Sequence, residues 1–340
     1  MPLGPQSTHP QVTTAYRGRT VLVTGGAGCI GSNLCRALLE ADVHRLVVID
    51  DLSAAEPWNL PKDQRLTFLQ GTILDPDLLR RAFAARPAFV FHLAAFFANQ
   101  NSVEHPESDL QVNGLGTLRL LEAARAAGVE RVIYASSGCS VYGSQAPLPL
   151  REDFVSLNLD TPYQITKLLG ELYANFFHNY YALPVVRARL FNVYGPGEVP
   201  GRYRNVIPNF IYWAQQGQPL PITGTGEETR DFTYVGDILE GLLRCGVLPG
   251  IAGEAINLAS GVETRVLDLA EQVNALTGNK AGLRHTPRRR WDTHSRRRAA
   301  IDKARQLLGY QPRTDFATGL RLTLAWFQNH HQEIEQAARF

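Results

Sequence analysis

The sequence predicts an α/β protein: a doubly wound parallel sheet followed by a smaller mixed α/β C-terminal lobe. Three observations carry this. Short apolar, β-branched runs recur at 20–24, 46–50, 66–69, 89–95, 131–137 and 184–190, and most are followed by a segment of helical period. Glycines crowd the turn directly after the first run. Beyond residue 191 the texture changes to loops rich in Gly, Pro, Arg and Tyr.

Length and composition bound the rest. With 340 residues, 44% hydrophobic and 19% charged, the chain is an ordinary globular protein of one large or two smaller units. A net charge of +2 gives no general case for a nucleic-acid or membrane partner, and the basic runs at 288–290 and 296–298 read as solvated faces. Cys29, Cys35, Cys139 and Cys245 show neither metal-ligand nor disulfide spacing, so no metal is expected and free thiols fit a reducing cytoplasm. No apolar run reaches membrane-span length. Residues 1–17 have no apolar signal core and read as a flexible tail.

The first strand, 20–24, runs into Gly25-Gly26-Ala27-Gly28-Cys29-Ile30-Gly31 and a helix through Leu39. Glycines at 25, 28 and 31 allow a tight turn and bring backbone N–H groups near a pyrophosphate, whose charge the helix N-terminus favours. The second strand ends at Asp50, 19 positions after Gly31. A carboxylate there accepts hydrogen bonds from both ribose hydroxyls of an adenosine and repels a 2′-phosphate, so NAD is expected and the sheet is Rossmann-type. A third strand at 66–69 precedes a helix at 76–84. The fourth, 89–95, ends in Leu93-Ala94-Ala95, small enough to let a cofactor approach, while His92 reads as a core histidine. A helix over about 106–127 carries Asn113, either a tie to the sheet or a surface residue, and stops at Gly128. The fifth strand closes on Ser136-Ser137.

After a loop comes Asp160-Thr161-Pro162-Tyr163-Gln164-Ile165-Thr166-Lys167. Pro162 opens a helix running to about residue 180, because its missing N–H has no intrahelical partner at that position. Tyr163 and Lys167 then stand one turn apart on one face. A Lys cation near a phenol favours the phenolate, lowering a pKa that is about 10 in free tyrosine. Such a phenol exchanges protons near neutral pH. The sixth strand, 184–190, follows, then a helix opened by Pro208 and further helices at about 236–245, 265–277 and 316–330. There is no internal repeat. The first unit is read as 18–190 with returning segments at about 231–260, and the second lobe as 191–230 and 261–340.

Gly25-x-x-Gly28-x-x-Gly31, Asp50, Ser137, Tyr163-x-x-x-Lys167 and Arg230-Asp231-Phe232 occur together, in order, across about residues 20–312. In that combination the chain resembles the extended short-chain dehydrogenases/reductases, specifically nucleotide-sugar epimerases and dehydratases, and most of all UDP-glucuronate and UDP-glucose 4-epimerases. The resemblance implies that Ser137 and Tyr163 bond the sugar's 4-hydroxyl and that Lys167 holds the nicotinamide ribose. It also implies NAD contacts from Cys29, Ile30, Leu52, Ser53, Thr72, Ile73 and Asn113. On the substrate side it implies Asn192 and Arg230 on the diphosphate, Asn205 and Val206 at the base, Asp292 on the ribose, and Cys139 and Ser140 near the sugar. A cytoplasmic homodimer, paired through the helices bearing Tyr163 and preceding Gly128, is implied as well.

Related dehydratases carry Asp-Glu, and decarboxylases Glu, directly after the Ser/Thr. Here Ser137 is followed by Gly138-Cys139-Ser140, with no acid. The resemblance therefore implies simple inversion at C4. Arg202 or Arg204 would bind a hexuronate carboxylate, phosphate or solvent, and the pattern from Trp291-Asp292 through Arg297-Arg298 to Lys303 is similar to UDP-glucuronate 4-epimerases. UDP-glucuronate is expected, then UDP-glucose, with a decarboxylase, a dehydratase or a non-catalytic NAD sensor as alternatives. Three departures stand out: Thr72 where relatives have an adenine-contacting Asp, an extra residue in the Ser137 loop, and the bulk of Phe96 and Phe97.

Overall fold

Successive parallel strands need a crossover on one face or the other, and the helical segments between the apolar runs supply it. The computed structural model describes residues 10–290, 292 and 295–340. In chain order its first half comprises α1 (Pro10–Tyr16), β1 (Thr20–Thr24), α2 (Cys29–Glu40), β2 (Arg45–Asp50), β3 (Leu66–Gln70), α3 (Pro76–Phe83), β4 (Phe89–His92), α4 (Asn99–Glu104), α5 (Pro106–Asp109), a π-helical segment (Leu110–Gly116), α6 (Thr117–Ala127), β5 (Arg131–Ser137), α7 (Pro162–Tyr181) and β6 (Val185–Leu190). The second half comprises β7 (Val193–Tyr194), α8 (Val206–Gln215), β8 (Leu220–Thr223), β9 (Thr229–Arg230), β10 (Thr233–Tyr234), α9 (Val235–Val247), β11 (Ala255–Leu258), β12 (Thr264–Arg265), α10 (Val266–Thr277), β13 (Leu283–Thr286), α11 (Asp302–Leu308), α12 (Phe316–Asn329) and α13 (His331–Ala337).

The central sheet has seven parallel strands in the order β11-β6-β5-β4-β1-β2-β3. Alternate residues of β1 serve two cores: Val21 and Val23 pack on one face, Leu22 on the other. Burial on both faces is why these strands read as continuous apolar runs. β11 joins the sheet beside β6, and α9 packs over β5 and β6. The remaining strands form three two-stranded sheets, β7 with β10, β8 with β13 and β9 with β12.

Three expectations need correction. Residues 10–16 are not tail but helix, because Tyr16 is fully buried and its hydroxyl donates to the Leu243 carbonyl at 2.7 Å; residues 1–9 and Trp291 lie outside the described residues. The fourth strand stops at His92, since Leu93 to Ala95 turn out along the cleft. The helix expected over 106–127 passes through the π-helical segment, whose extra residue per turn swings Asn113 inward.

α7 is fixed to the sheet by a buried ion pair. Glu171 accepts from Arg189 Nε at 2.9 Å and Nη2 at 2.8 Å, and Ser136 Oγ donates to the same carboxylate at 2.5 Å. Both side chains are 2% exposed. Removing one partner strands the other charge in a dry site. Glu171→Ala is therefore expected to cost about 3–5 kcal/mol in urea unfolding, and adding Arg189→Met to recover much of it; a loss under 1 kcal/mol would contradict the assignment.

Candidate active site

The site is assembled where the strands end. Gly25, with φ +72°, turns the chain out of β1, and a Cβ there would sit 2.6 Å from Ala94 N. A Cβ on Gly31 would lie 2.1 Å from the Gly25 carbonyl oxygen. Gly28 is the N-cap of α2 and makes no side-chain cap, so the first N–H groups of that helix are left for an anion. Asp50 closes β2, its Oδ2 accepting from Ala27 N and its Oδ1 from Leu52 N, both at 2.9 Å. Burial raises its pKa and these two N–H groups oppose the rise. Turn, helix end and acid fit a dinucleotide with a free adenosine ribose.

One cleft runs from this turn to α7. It is lined by Gly25, Gly28, Cys29, Ile30, Gly31, Asp50 and Ser53 at one end, by Thr72, Ile73, Leu93, Ala94 and Ala95 along its floor, and by Ser137, Cys139, Ser140, Tyr163, Lys167 and Asn192 at the other. The helix carrying the last pair starts as its sequence dictates: Thr161 Oγ1 accepts from Gln164 N at 3.3 Å, with Pro162 in the first turn. Lys167 Nζ donates to the Ala135 carbonyl at 3.0 Å and lies 5.7 Å from the centre of the Tyr163 ring. Ser140 Oγ donates to Ser137 Oγ at 2.9 Å, and the Cys139 thiol to Asn192 Oδ1 at 3.0 Å. Phe97 stands edge-on to Tyr163.

The shift expected of the phenol is reversed. Burial pushes the Tyr163 phenol up, with Asp109 and then Cys139 adding to it. Burial also pulls Lys167 down, to about 8, against the pull of Asp109. Desolvation outweighs the cation's help because both groups are nearly dry.

Other expected residues lie elsewhere. Asn113 is buried behind the wall, where its amide holds Phe96 by N–H to Oδ1 at 2.8 Å and Nδ2 to the carbonyl at 3.2 Å. Leu52 lines a neighbouring pocket, as does Arg202, which pairs at the surface with Glu104 at 2.8 Å. Val206 begins α8 behind Asn205, which does line the cleft. Arg230 is bound to Asp292 at 3.1 Å, and neither lines the cleft. Of the residues placed at the ligand by resemblance, Arg230 and Asp292 pair with each other, while Arg202 and Asn113 bond other neighbours.

Sequence reasoning missed Asp51, Ala54 and Asn99 on the wall, and named Glu198 only as part of the segment 198–205 that faces the substrate in the family the chain resembles. Glu198 Oε1 accepts from Asn205 Nδ2 at 2.8 Å, whereas its Oε2 is buried without a hydrogen-bond partner among the described residues. Arg204, not Arg202, is the arginine of its segment that reaches the cleft.

Comparison with known proteins agrees with this geometry. The model of the NAD-dependent epimerase/dehydratase family matches residues 21–259. A UDP-glucose 4-epimerase of Mycolicibacterium smegmatis is 37% identical over 92% of this chain and 99% of that protein. The solved structure of an epimerase from Methanothermobacter thermautotrophicus is 54% identical, with a TM-score of 0.97 over 99% of this chain and 100% of that one. WbmF of Bordetella bronchiseptica, solved with NAD+ and UDP, is 38% identical, with a TM-score of 0.83 over 95% of this chain and 96% of that one.

Burial raises the Glu198 carboxyl to about 7. A folded-state pKa above the unfolded value of about 4.3 means a contribution to stability that is full at lower pH and is lost as pH rises through about 7. Glu198→Gln should flatten the fall in melting temperature between pH 5 and 8 and outlast the wild type at pH 8. Parallel pH profiles of the two proteins would contradict this.

Proposed function

The chain belongs to the NAD-dependent epimerase/dehydratase family, and on that premise we propose that it inverts C4 of a UDP-hexose through a transient 4-keto sugar, with UDP-glucuronate the preferred substrate. The observation that carries the reaction is what surrounds Tyr163. A hydroxyl pair, a phenol and an ammonium converge on one end of the cleft, while the carboxylates lining it are Asp50, Asp51 and Glu198, none of them in the Ser137 loop. Dehydration or decarboxylation calls for an acid or base beside C5 or C6. Inversion at C4 needs only a group for the O4 proton.

In this reading Tyr163 removes the O4 proton and later returns it. Ser137, held by the Ser140 hydroxyl, donates to the same oxygen as it becomes a carbonyl. Lys167, anchored on the Ala135 carbonyl, supplies the neighbouring positive charge. NAD, held between the turn at 25–31, Asp50 and Lys167, would supply the acceptor for the C4 hydride and a positive charge that favours the Tyr163 phenolate.

The sugar assignment rests on Arg297. It is 4% exposed and forms no ion pair among the described residues, and burial pulls its pKa down to about 10. The groups that act on it electrostatically are Cys139, which lines the sugar end, then Arg230, Asp292 and Asp160. A buried guanidinium that no carboxylate contacts directly, with Asp292 and Asp160 acting only from a distance, suits an anionic substituent such as the uronate carboxylate. The identity to a UDP-glucose 4-epimerase favours UDP-glucose as the second reading.

Exposed apolar residues also support the homodimer. Ile165, Leu172 and Phe176 on α7 lie at 53%, 58% and 47% exposure, with Leu110 beside them at 54%. Two such faces would bury each other.

Proton NMR of UDP-glucuronate and UDP-glucose incubated separately tests the reading. UDP-galacturonate from the first is expected, and inversion of neither would overturn it. Tyr163→Phe should lower kcat by a factor of about 10²–10⁴, and full activity would exclude Tyr163 as the base. Arg297→Met should raise KM for UDP-glucuronate roughly tenfold or more relative to UDP-glucose; an equal rise for both would assign Arg297 to the shared diphosphate.

A further inference from the structure

Lys167 is 4% exposed, and its ammonium has a carbonyl for company rather than a carboxylate. No carboxylate forms a direct ion pair with it among the described residues. A buried cation of this kind is costly unless an anion lies close by. The candidate is Asp109, which is fully buried at the end of α5. Its Oδ1 accepts from Asn113 Nδ2 at 2.8 Å, and its Oδ2 accepts at 2.7 Å from Oγ1 of Thr166, the residue before Lys167.

Neither hydrogen bond needs the charge. An asparagine at 109 would accept from Asn113 with its oxygen and donate to Thr166 with its nitrogen, freeing the Thr166 hydroxyl proton for the Tyr163 carbonyl 3.3 Å away. A carboxylate kept where an amide would pair equally well costs desolvation and needs an electrostatic reason. Lys167 supplies one.

We propose that Asp109 is the counter-ion that keeps Lys167 charged, a positioning residue that acts through Lys167 without touching cofactor or substrate. The groups around this pair are few. From β4, His92 faces Lys167 as a neutral ring, its pKa driven down to about 3 by burial and by the lysine. From β5, Tyr134 presents its ring 5.4 Å from Nζ, and burial keeps its phenol protonated. On α7 itself stands Tyr163, which Cys139 faces from the loop after β5. Of these only Asp109 carries a carboxyl group: burial raises its pKa, the bonds from Thr166 and Asn113 and the charge of Lys167 oppose that rise, and it in turn opposes the effect of burial on Lys167.

The inference rests on Lys167 belonging to the active site, but its test uses no turnover, so it fails separately from the sugar assignment. Lys62, Lys167, Lys280 and Lys303 are the lysines of the chain. Protein labelled at lysine 13Cε therefore gives four resonances, and Lys167→Met assigns the one of interest. In the wild type it should titrate near pH 8, and in Asp109→Asn its midpoint should fall by about one unit or more. An unmoved midpoint in a folded variant overturns the proposal. Should Asp109→Asn not fold, the wild type decides: the Asp109 carboxyl carbon must show an inflection at the Lys167 midpoint, because coupled groups report each other's titration. A flat Asp109 response through that pH overturns the proposal as well.

Discussion

The chemistry of this chain depends on how α7 is held against the sheet, and the Glu171–Arg189 pair holds it. Tyr163, Lys167 and Glu171 succeed one another at four-residue intervals, so they form a single stripe along α7. The last member is clamped by a bidentate bond to Arg189 on β6 and by Ser136 at the end of β5. Fixing Glu171 fixes the rotation of the helix, and with it the direction of the phenol and the ammonium. Gly170 permits the close approach, since a Cβ there would fall 2.1 Å from the Tyr134 hydroxyl. The neighbouring serine of β5, Ser137, is thereby delivered to the same end of the cleft. A buried pair is an expensive way to join two elements, and its return is a defined geometry.

The same burial sets the electrostatics. The α7 stripe is buried, so every charge there is dear and each needs a partner. Tyr163 stays a neutral phenol and Lys167 is pulled toward neutrality until a countercharge intervenes. A site built this way is poised rather than permanently ionised. It rewards the arrival of a cationic cofactor ring and a sugar oxygen that becomes negative, because neither has bulk solvent to compete with.

Much of this was legible in the sequence because it is written in short-range signals. The six apolar runs became strands since burial on both faces demands continuous β-branched stretches, and the glycine turn and Asp50 lie where a strand and a helix must meet. What was not legible depends on distant partners. Tyr16 gives no local hint that it seals the base of α9, and the π-helical bulge that turns Asn113 inward has no composition signature. Arg230 and Asp292, 62 positions apart, give no sign in the sequence that they pair with each other. Glu198 stood in plain view two residues after Pro196, but its unpartnered oxygen appears only once Asn205 folds back on it. The phenol's shift was misjudged because spacing reveals a neighbouring cation and hides the loss of water.

Turnover in D2O, with the product read by proton NMR, tests the central claim most directly. If Tyr163 handles only the O4 proton and the C4 hydride leaves and returns without meeting solvent, the product is inverted at C4 and keeps protium at both C4 and C5. Deuterium at C5, or loss of water or carbon dioxide from the sugar, would contradict a site built for inversion alone.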